Sequence, residues 1–308
     1  NYTLHQLRIF ACVARLQSVT KAAEELCLTQ PAVSIQLKKL QEQFDIPLTE
    51  RIGRQLFLTE FGQQIARVCE RILAENEEIR YAMERYQGLL SGHIHIAVVS
   101  TGKYVMPYFL KGFVSQHPQV TVRMDVTNKN QVVAALEQNK TDFALVSVLP
   151  EGMPIEQISL MDNRLYFVGN QAESAKLPAP FQVEDLRELP LIFREPGSAT
   201  RMAMETYLLQ HGIPLQQTLA LTSNEAVKQA VNAGLGFSIM PLIGLRHELV
   251  DGELQLIPLP GLPITTTWTL IYRKGKGLSP ASRALLEYLE TNKEDLIERH
   301  FSWTKGIA

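Results

Sequence analysis

A tight interruption at residues 18–40, SVTKAAEELCLTQPAVSIQLKKL, constrains this chain more than any other stretch. Two short alanine- and leucine-rich helical patterns are joined by Cys27-Leu28-Thr29, and Pro31 follows almost at once. A proline inside a helix breaks it, but in the first turn its missing N–H costs nothing, so Pro31 marks a start. Upstream, Leu4, Leu7, Phe10 and Ala14 recur at helical spacing. Ser18 is placed to cap a second helix through Ala22, Ala23 and Leu26, and Thr29 to cap a third in which Val33, Leu37, Leu40 and Phe44 share one face. The pattern predicts three helices with a tight second turn. Wound at about 100° per residue, the third helix leaves Pro31, Ser34, Ile35, Lys38 and Lys39 pointing away from the apolar face. Thr29, Gln30, Pro31, Ser34 and Ile35 at its N-terminal end suit the base edges of a major groove, and the two lysines suit phosphates. A plain three-helix core with a solvated face accounts for the same pattern, because this geometry is a common packing unit.

The next segment favours the nucleic-acid reading. DIPLTERIGRQLFLT, residues 45–59, reads as two short extended pieces around a turn at Gly53, with Arg51 and Arg54 on or beside it. This is a wing whose arginines can enter a minor groove or hold the backbone. Directly after a candidate recognition helix, the two features support one another.

The total charge is uninformative. Thirty basic against 32 acidic residues give a formal charge of −2, so a nucleic-acid partner has to be read locally. The 308 residues are 45% hydrophobic and 20% charged, enough for two or three domains with cores of their own. Cys12, Cys27 and Cys69 are odd in number and widely spaced, which suits reduced, buried thiols in a cytoplasmic protein and indicates no metal. No basic-then-apolar leader opens the sequence and no apolar run approaches the roughly 18 residues of a membrane span, so the expectation is a soluble chain without a membrane partner.

Taken together, LHQLRIFACVA, SVTKAAEELCLTQPAVSIQLKKLQ and PLTERIGRQLFLTEFGQQI resemble a LysR-type transcriptional regulator, and the downstream layout extends the likeness over essentially the whole chain. Within that family, FREPGSATR resembles the carbon-fixation, CbbR-like branch. Three positions depart from the family pattern: Val19 replaces a usual phenylalanine, Thr49 a usual aromatic and Phe61 a usual alanine. All three read as packing changes around the wing and the linker.

From Thr59, a candidate N-cap, to about Leu90 there is no proline and no internal turn signal. Ile65, Cys69, Ile72, Asn76, Ile79, Met83, Tyr86 and Leu90 alternate at spacings of four and three, a heptad seam that asks for a partner helix, with Asn76 placed to set register. The resemblance implies that this linker dimerises the DNA-binding domains and that the assembly is a homotetramer, a dimer of dimers. Ser91-Gly92 then reads as the helix end.

Beyond it, strand candidates (HIHIAVV, TVRMDV, FALVSV, RLYFVG, LIF, GFSIM, TTTWTLIYR) alternate with helical stretches near 105–116, 129–138, 201–211, 225–233 and 280–291. The fold class expected is α/β with a mainly parallel sheet, carrying an N-terminal winged helix-turn-helix (1–58), a linker helix (59–91) and an effector domain (92–308). The chain crosses into a second lobe near Arg164-Leu165 and returns near Thr267-Trp268, giving lobe I at 92–164 and 268–308 and lobe II at 165–267. This is the two-lobed layout of periplasmic binding proteins, which the resemblance also implies. Ligands in such folds sit at the carboxyl ends of strands. Helix starts there make anion sites from free N–H groups and hydroxyls. Ser100 and Thr101, Gly197, Ser198 and Thr200, and Asn224 are the candidates, with Ser147 a fourth position; each is equally explained singly as a preferred cap. Arg201 and Lys103 could add charge there or simply face solvent. His93 and His95 fall on one strand face without a third metal ligand.

The function expected is a sequence-specific, promoter-binding transcription regulator controlled by a small anionic metabolite, without another cofactor, and with contact to the transcription machinery left open. A solute-binding or sensor module without a transcriptional role would explain the second half but leave residues 1–90 idle. An enzyme would need a nucleophile–base pair, a metal cluster or a phosphate loop, and no G-x-G-x-x-G, P-loop or G-x-S-x-G arrangement occurs.

Overall fold

The computed structural model describes residues 2–53, 55–86, 90–215 and 217–306. These form two compact units, Asn1–Gly92 with Gly275–Pro280, and His93–Lys274 with Ala281–Ala308.

In the first unit, α1 (Leu4–Leu16), α2 (Val19–Glu25) and α3 (Gln30–Gln41) precede a hairpin of β1 (Thr49–Ile52) and β2 (Gln55–Leu58) and the long α4 (Glu60–Tyr86). Each expected cap is made: Lys21 N–H donates to Ser18 Oγ at 3.3 Å, Ala32 N–H to Thr29 Oγ1 at 3.4 Å and Gly62 N–H to Thr59 Oγ1 at 2.9 Å. The tight turn has a definite mechanism. Cys27 takes a left-handed φ of 53° and Leu28 N–H reaches back to Ala23 O at 2.8 Å, the 6→1 bond that ends a helix abruptly. Cys27 is therefore exposed, not buried as its type suggested, while Cys12 and Cys69 are buried. Burial pushes the Cys69 thiol up to about 11, which leaves it protonated and inert.

Leu7, Phe10, Leu40 and Leu48 form one core with Ala66 and Cys69 of α4, and Ile65 and Ile72 pack against it. The first half of the heptad seam is thus spent inside the chain. Val19 packs beside Ala22, Ala23 and Val33, and Phe61 meets Phe44 edge-on at 5.8 Å, so these two departures are accommodated as packing. Leu4, read as part of the apolar face of α1, is 46% exposed.

In the second unit the elements run β3 (Ser91–Val99), α5 (Met106–Gln116), β4 (Gln119–Thr127), α6 (Lys129–Glu137), β5 (Phe143–Val146), β6 (Ile155–Asn170), α7 (Gln171–Ser174), β7 (Leu191–Arg194), α8 (Ala199–Gln210), β8 (Gln217–Leu221), α9 (Asn224–Asn232), β9 (Ser238–Pro241), α10 (Arg246–Val250), β10 (Leu254–Ile257), β11 (Ile264–Arg273) and α11 (Pro280–Phe301). Seven strands join in the order β10-β6-β11-β5-β3-β4, with β9 also on β6. The expected mainly parallel sheet is corrected here. β3–β5 and β7–β8 are parallel, but β6 pairs antiparallel with β9, β10 and β11, and β11 antiparallel with β5. The reason is β6 and β11, two long strands that run against each other from Ile155↔Arg273 to Leu165↔Ile264 and tie the two ends of the sheet together. Ser91 and Gly92, read as the end of the linker, already belong to β3.

From Leu165 to Gly169, β6 is buried on both faces, as a continuous apolar run demands. Leu165 and Phe167 enter a core with Phe193, Met204, Tyr207 and Phe237 under α8, while Tyr166 and Val168 enter another with Val227, Val231 and Met240 under α9.

Candidate functional site

On α3, Val33 and Leu40 are buried, whereas Pro31, Ser34, Ile35, Lys38 and Lys39 are exposed, as are Thr29 and Gln30 at its start. Ile35 is 54% exposed, a large apolar side chain left in water beside small polar ones, which suits contact with a thymine methyl more than packing. Lys38 and Lys39 enter no ion pair among the described residues. β1 and β2 pair with Ile52 opposite Gln55, turning at Gly53 with a φ of 65°. Arg51 lies in β1 opposite Leu56, though its side chain, like Arg54 altogether, is outside the described residues.

One residue that sequence reading passed over holds the wing to the helix. Gln41, at the end of α3, accepts from Leu48 N–H at 2.6 Å and donates to Ile46 O at 3.1 Å, and Leu56 of β2 packs against the helical core. α3 and the start of the wing are therefore tied together by hydrogen bonds and packing.

In the second unit, Ser100, Thr101, Ser198 and Thr200 converge. With Val99, Asn128, Lys129, Arg194 and Ala199 they line a cavity of about 10 Å³, room for about one water molecule. Three chain starts meet there: the turn of 3₁₀ helix at Ser100–Tyr104 after β3, α6 with Asn128 as N-cap and α8 with Ser198 as N-cap. Asn128 Oδ1 accepts from Gln131 N–H at 3.0 Å and Ser198 Oγ from Arg201 N–H at 3.5 Å, leaving the hydroxyl hydrogen of Ser198 to donate elsewhere. Asn224 adjoins this group, its N–H 3.5 Å from Ser100 Oγ, and at 1% exposure neither amide atom finds a hydrogen-bond partner.

Two candidates fall elsewhere. Ser147 follows β5 and does not line the cavity. Gly197, at φ 87°, has a different job: a Cβ there would stand 2.8 Å from Asn130 Nδ2, so glycine lets the loop before α8 close onto α6. The positive charge comes from residues not selected by sequence. Arg194, its side chain 3% exposed, is held by Glu195 at 2.8 and 3.0 Å, and Lys129 enters no ion pair among the described residues. The available signal was an arginine ending an otherwise apolar strand, LIFR. Arg201 is committed to Glu205 at 2.7 Å and to Arg194 O, and Lys103 lies over the Tyr104 ring. His95 bonds Asp125 at 2.6 Å, and this bond holds the Asp125 carboxyl below the usual carboxylate range.

Beside the cavity, Tyr104 OH donates to Glu225 at 2.8 Å, and Lys228 bridges Glu225 at 3.0 Å and Glu248 at 2.7 Å. Burial, then Glu225, raises the Tyr104 phenol. Burial alone would lower Lys228, but Glu248 and Glu225 outweigh it and hold the ammonium charged.

A helix-turn-helix with a wing, followed by a unit in which helix starts converge, defines a DNA-binding, ligand-sensing regulator. Comparison with known proteins agrees. Residues 4–63 match the bacterial regulatory helix-turn-helix proteins of the lysR family, and residues 87–293 match the LysR substrate binding domain. The chain is 38% identical to the RuBisCO operon transcriptional regulator of Acidithiobacillus ferrooxidans, over 93% of both chains, and 36% identical to the transcriptional activator CmpR of Synechocystis, over 96% of this chain and 97% of that one. The regulatory domain of Synechocystis CcmR, solved in complex with 2-PG, superposes with a TM-score of 0.62 at 29% identity, covering 67% of this chain and 99% of that domain. Full-length CbnR complexed with its target DNA shares the fold at a TM-score of 0.55, with 21% identity over 94% of this chain and 99% of that one.

The chain belongs to the LysR family of DNA-binding transcription regulators, and its relatives include regulators of the RuBisCO operon.

Proposed function

We propose that the outer face of α3 reads promoter DNA, with Thr29, Gln30, Pro31, Ser34 and Ile35 toward base edges, Lys38 and Lys39 toward phosphates, and Arg51 and Arg54 of the wing toward the adjacent minor groove. A small anionic metabolite bound between lobe I (92–164 and 268–308) and lobe II (165–267) controls that binding. The observation that carries the second statement is the convergence of Ser100, Thr101, Ser198 and Thr200 with Lys129 and Arg194 around one cavity. Hydroxyls, helix-start N–H groups and two cations are an anion's complement. CcmR, solved with 2-PG, supports a phosphorylated or carboxylated ligand. The present cavity is too small for such a molecule, so the lobes have to part to admit it. A ligand that binds one inter-lobe angle better shifts the protein toward that angle.

The chain performs no chemical step in this reading and works as a dimer, paired further into a tetramer, in the cytoplasm. No helix among the described residues is long and apolar enough to cross a membrane.

Two experiments test the assignment. Ser34→Ala should reduce discrimination at one operator position by roughly 1–3 kcal/mol, while Lys38→Ala should weaken all sequences alike and lower the salt slope by about 1. Equal losses from both with unchanged salt dependence would sink the groove assignment. With 2-PG as probe, Thr101→Val and Thr200→Val should each abolish the effector response in a promoter assay while operator retardation stays intact. A double variant that still responds, with unchanged affinity by calorimetry, places the effector elsewhere.

A further inference from the structure

The second unit contains a larger cavity, of about 230 Å³, away from the cleft just described. It has room for several waters or one small metabolite. It lies against β6 at Met161–Arg164, with Leu242 and Ile243 on one side and Ile297 of α11 on another.

The strand explains why a cavity exists here. Met161 to Arg164 pair with Trp268 to Thr265 of β11, whereas β9 first pairs with β6 at Leu165↔Pro241. Pro241 has no N–H with which to extend that ladder. Among the described residues, one edge of β6 therefore faces the cavity without a strand partner over these four residues.

One charged side chain there is also incompletely satisfied. Asn163 turns its buried side chain to the other face of β6, where its amide N–H donates to Thr266 Oγ1 at 3.0 Å. Arg164 is half-buried, with one long bond, 3.4 Å, to Thr304 O and no carboxylate partner among the described residues. Its guanidinium retains the forked donors that match a carboxylate. Asp162 and Glu294 bring negative charge to the same walls, and Leu242, Ile243 and Ile297 supply apolar surface.

One molecule satisfies all of these at once. We propose that this cavity is a second ligand site, independent of the cleft, for a small zwitterionic amino carboxylate of the size of a short apolar α-amino acid. Its carboxylate meets Arg164, its ammonium faces Asp162 or Glu294, and its aliphatic part lies on Leu242, Ile243 and Ile297. β6 and β11 are the strands that join the two ends of the sheet, so occupancy here acts on the connection between them.

The test is calorimetry on the full chain with L-leucine, L-valine and L-methionine, alongside isovalerate and isoamylamine, which carry one charge each. At least one amino acid should bind saturably, with the single-charge analogues weaker by roughly tenfold or more. Arg164→Gln should weaken amino-acid binding by about the same factor, and Ile297→Trp, which fills the cavity, should abolish it while operator retardation persists. Thr101→Val should leave amino-acid binding unchanged, which separates this site from the cleft. Absence of saturable binding by all three amino acids overturns the proposal, as does binding that survives both Arg164→Gln and Ile297→Trp or that is lost in Thr101→Val. Should Ile297→Trp fail to fold, Arg164→Gln decides.

Discussion

Gly62→Ala is expected to destabilise the DNA-binding unit by about 3 kcal/mol, although Gly62 sits inside a helix where alanine is ordinarily the better residue by about 1 kcal/mol. Gly62 lies in the first turn of α4, and a Cβ built there runs into the carbonyl of Leu48. That carbonyl cannot step aside. It accepts from Thr59 N–H at 3.1 Å, the Leu48 N–H is held by Gln41 at 2.6 Å, and the Leu48 side chain is wholly buried. The extra methyl must therefore push α4 away from the entrance of the wing, and because Gln41 ends α3, the displacement reaches the recognition surface. Denaturant unfolding of the unit should show the midpoint falling with unchanged slope, and operator affinity should fall with it. A gain in stability would mean that the close approach of α4 to Leu48 does not exist.

That contact illustrates what the sequence could and could not disclose. Caps and periodicity are local, so Ser18, Thr29 and Thr59 announced three helix starts, and the exposed row on α3 followed from winding the helix. Gln41 and Gly62 act on residues reached only after the chain has turned back, and no periodic signal marks them. In the second unit the apolar strands were legible, but the first half of β6, IEQISLMD, mixes polar and apolar residues because it is buried only where Ile158 and Leu160 turn inward. Without it, the long antiparallel pair with β11 could not be foreseen, and strand–helix alternation alone suggested a parallel sheet. α11 continues to Phe301, ten residues beyond the expected end at 291, because its last turns bury only Leu296 and Phe301 among charges. At the cleft, hydroxyl-bearing helix starts were visible as caps. Arg194 was not, because a charged residue is placed inside only when a partner meets it, and Glu195 does so through geometry that sequence does not encode.

The heptad seam along α4 is where the structure changes the experiment that pattern alone would choose. Ile72 looked like the natural place to break a dimer, yet it packs with Ile65 against Leu7, Phe10 and Cys69 of its own chain. Ile72→Asp should therefore cost the folded unit about 3 kcal/mol or more by placing an unpaired charge against a core, a loss that says nothing about a partner. Ile79 is different: it is 72% exposed, two turns further along the same seam. Asn76 between them is half-buried, and the side chains of Met83 and Tyr86 lie outside the described residues. A large apolar residue left in water at a seam position is what a second helix would cover. Ile79→Asp should then leave the stability of the isolated unit within about 0.5 kcal/mol and weaken self-association on the order of a hundredfold. Sedimentation should show monomers, and operator binding should drop because two recognition helices no longer arrive together. If the Ile79→Asp protein sediments at wild-type mass, the outer half of α4 is not the interface; the seam is then a device for packing α4 onto α1, and self-association has to come from the second unit.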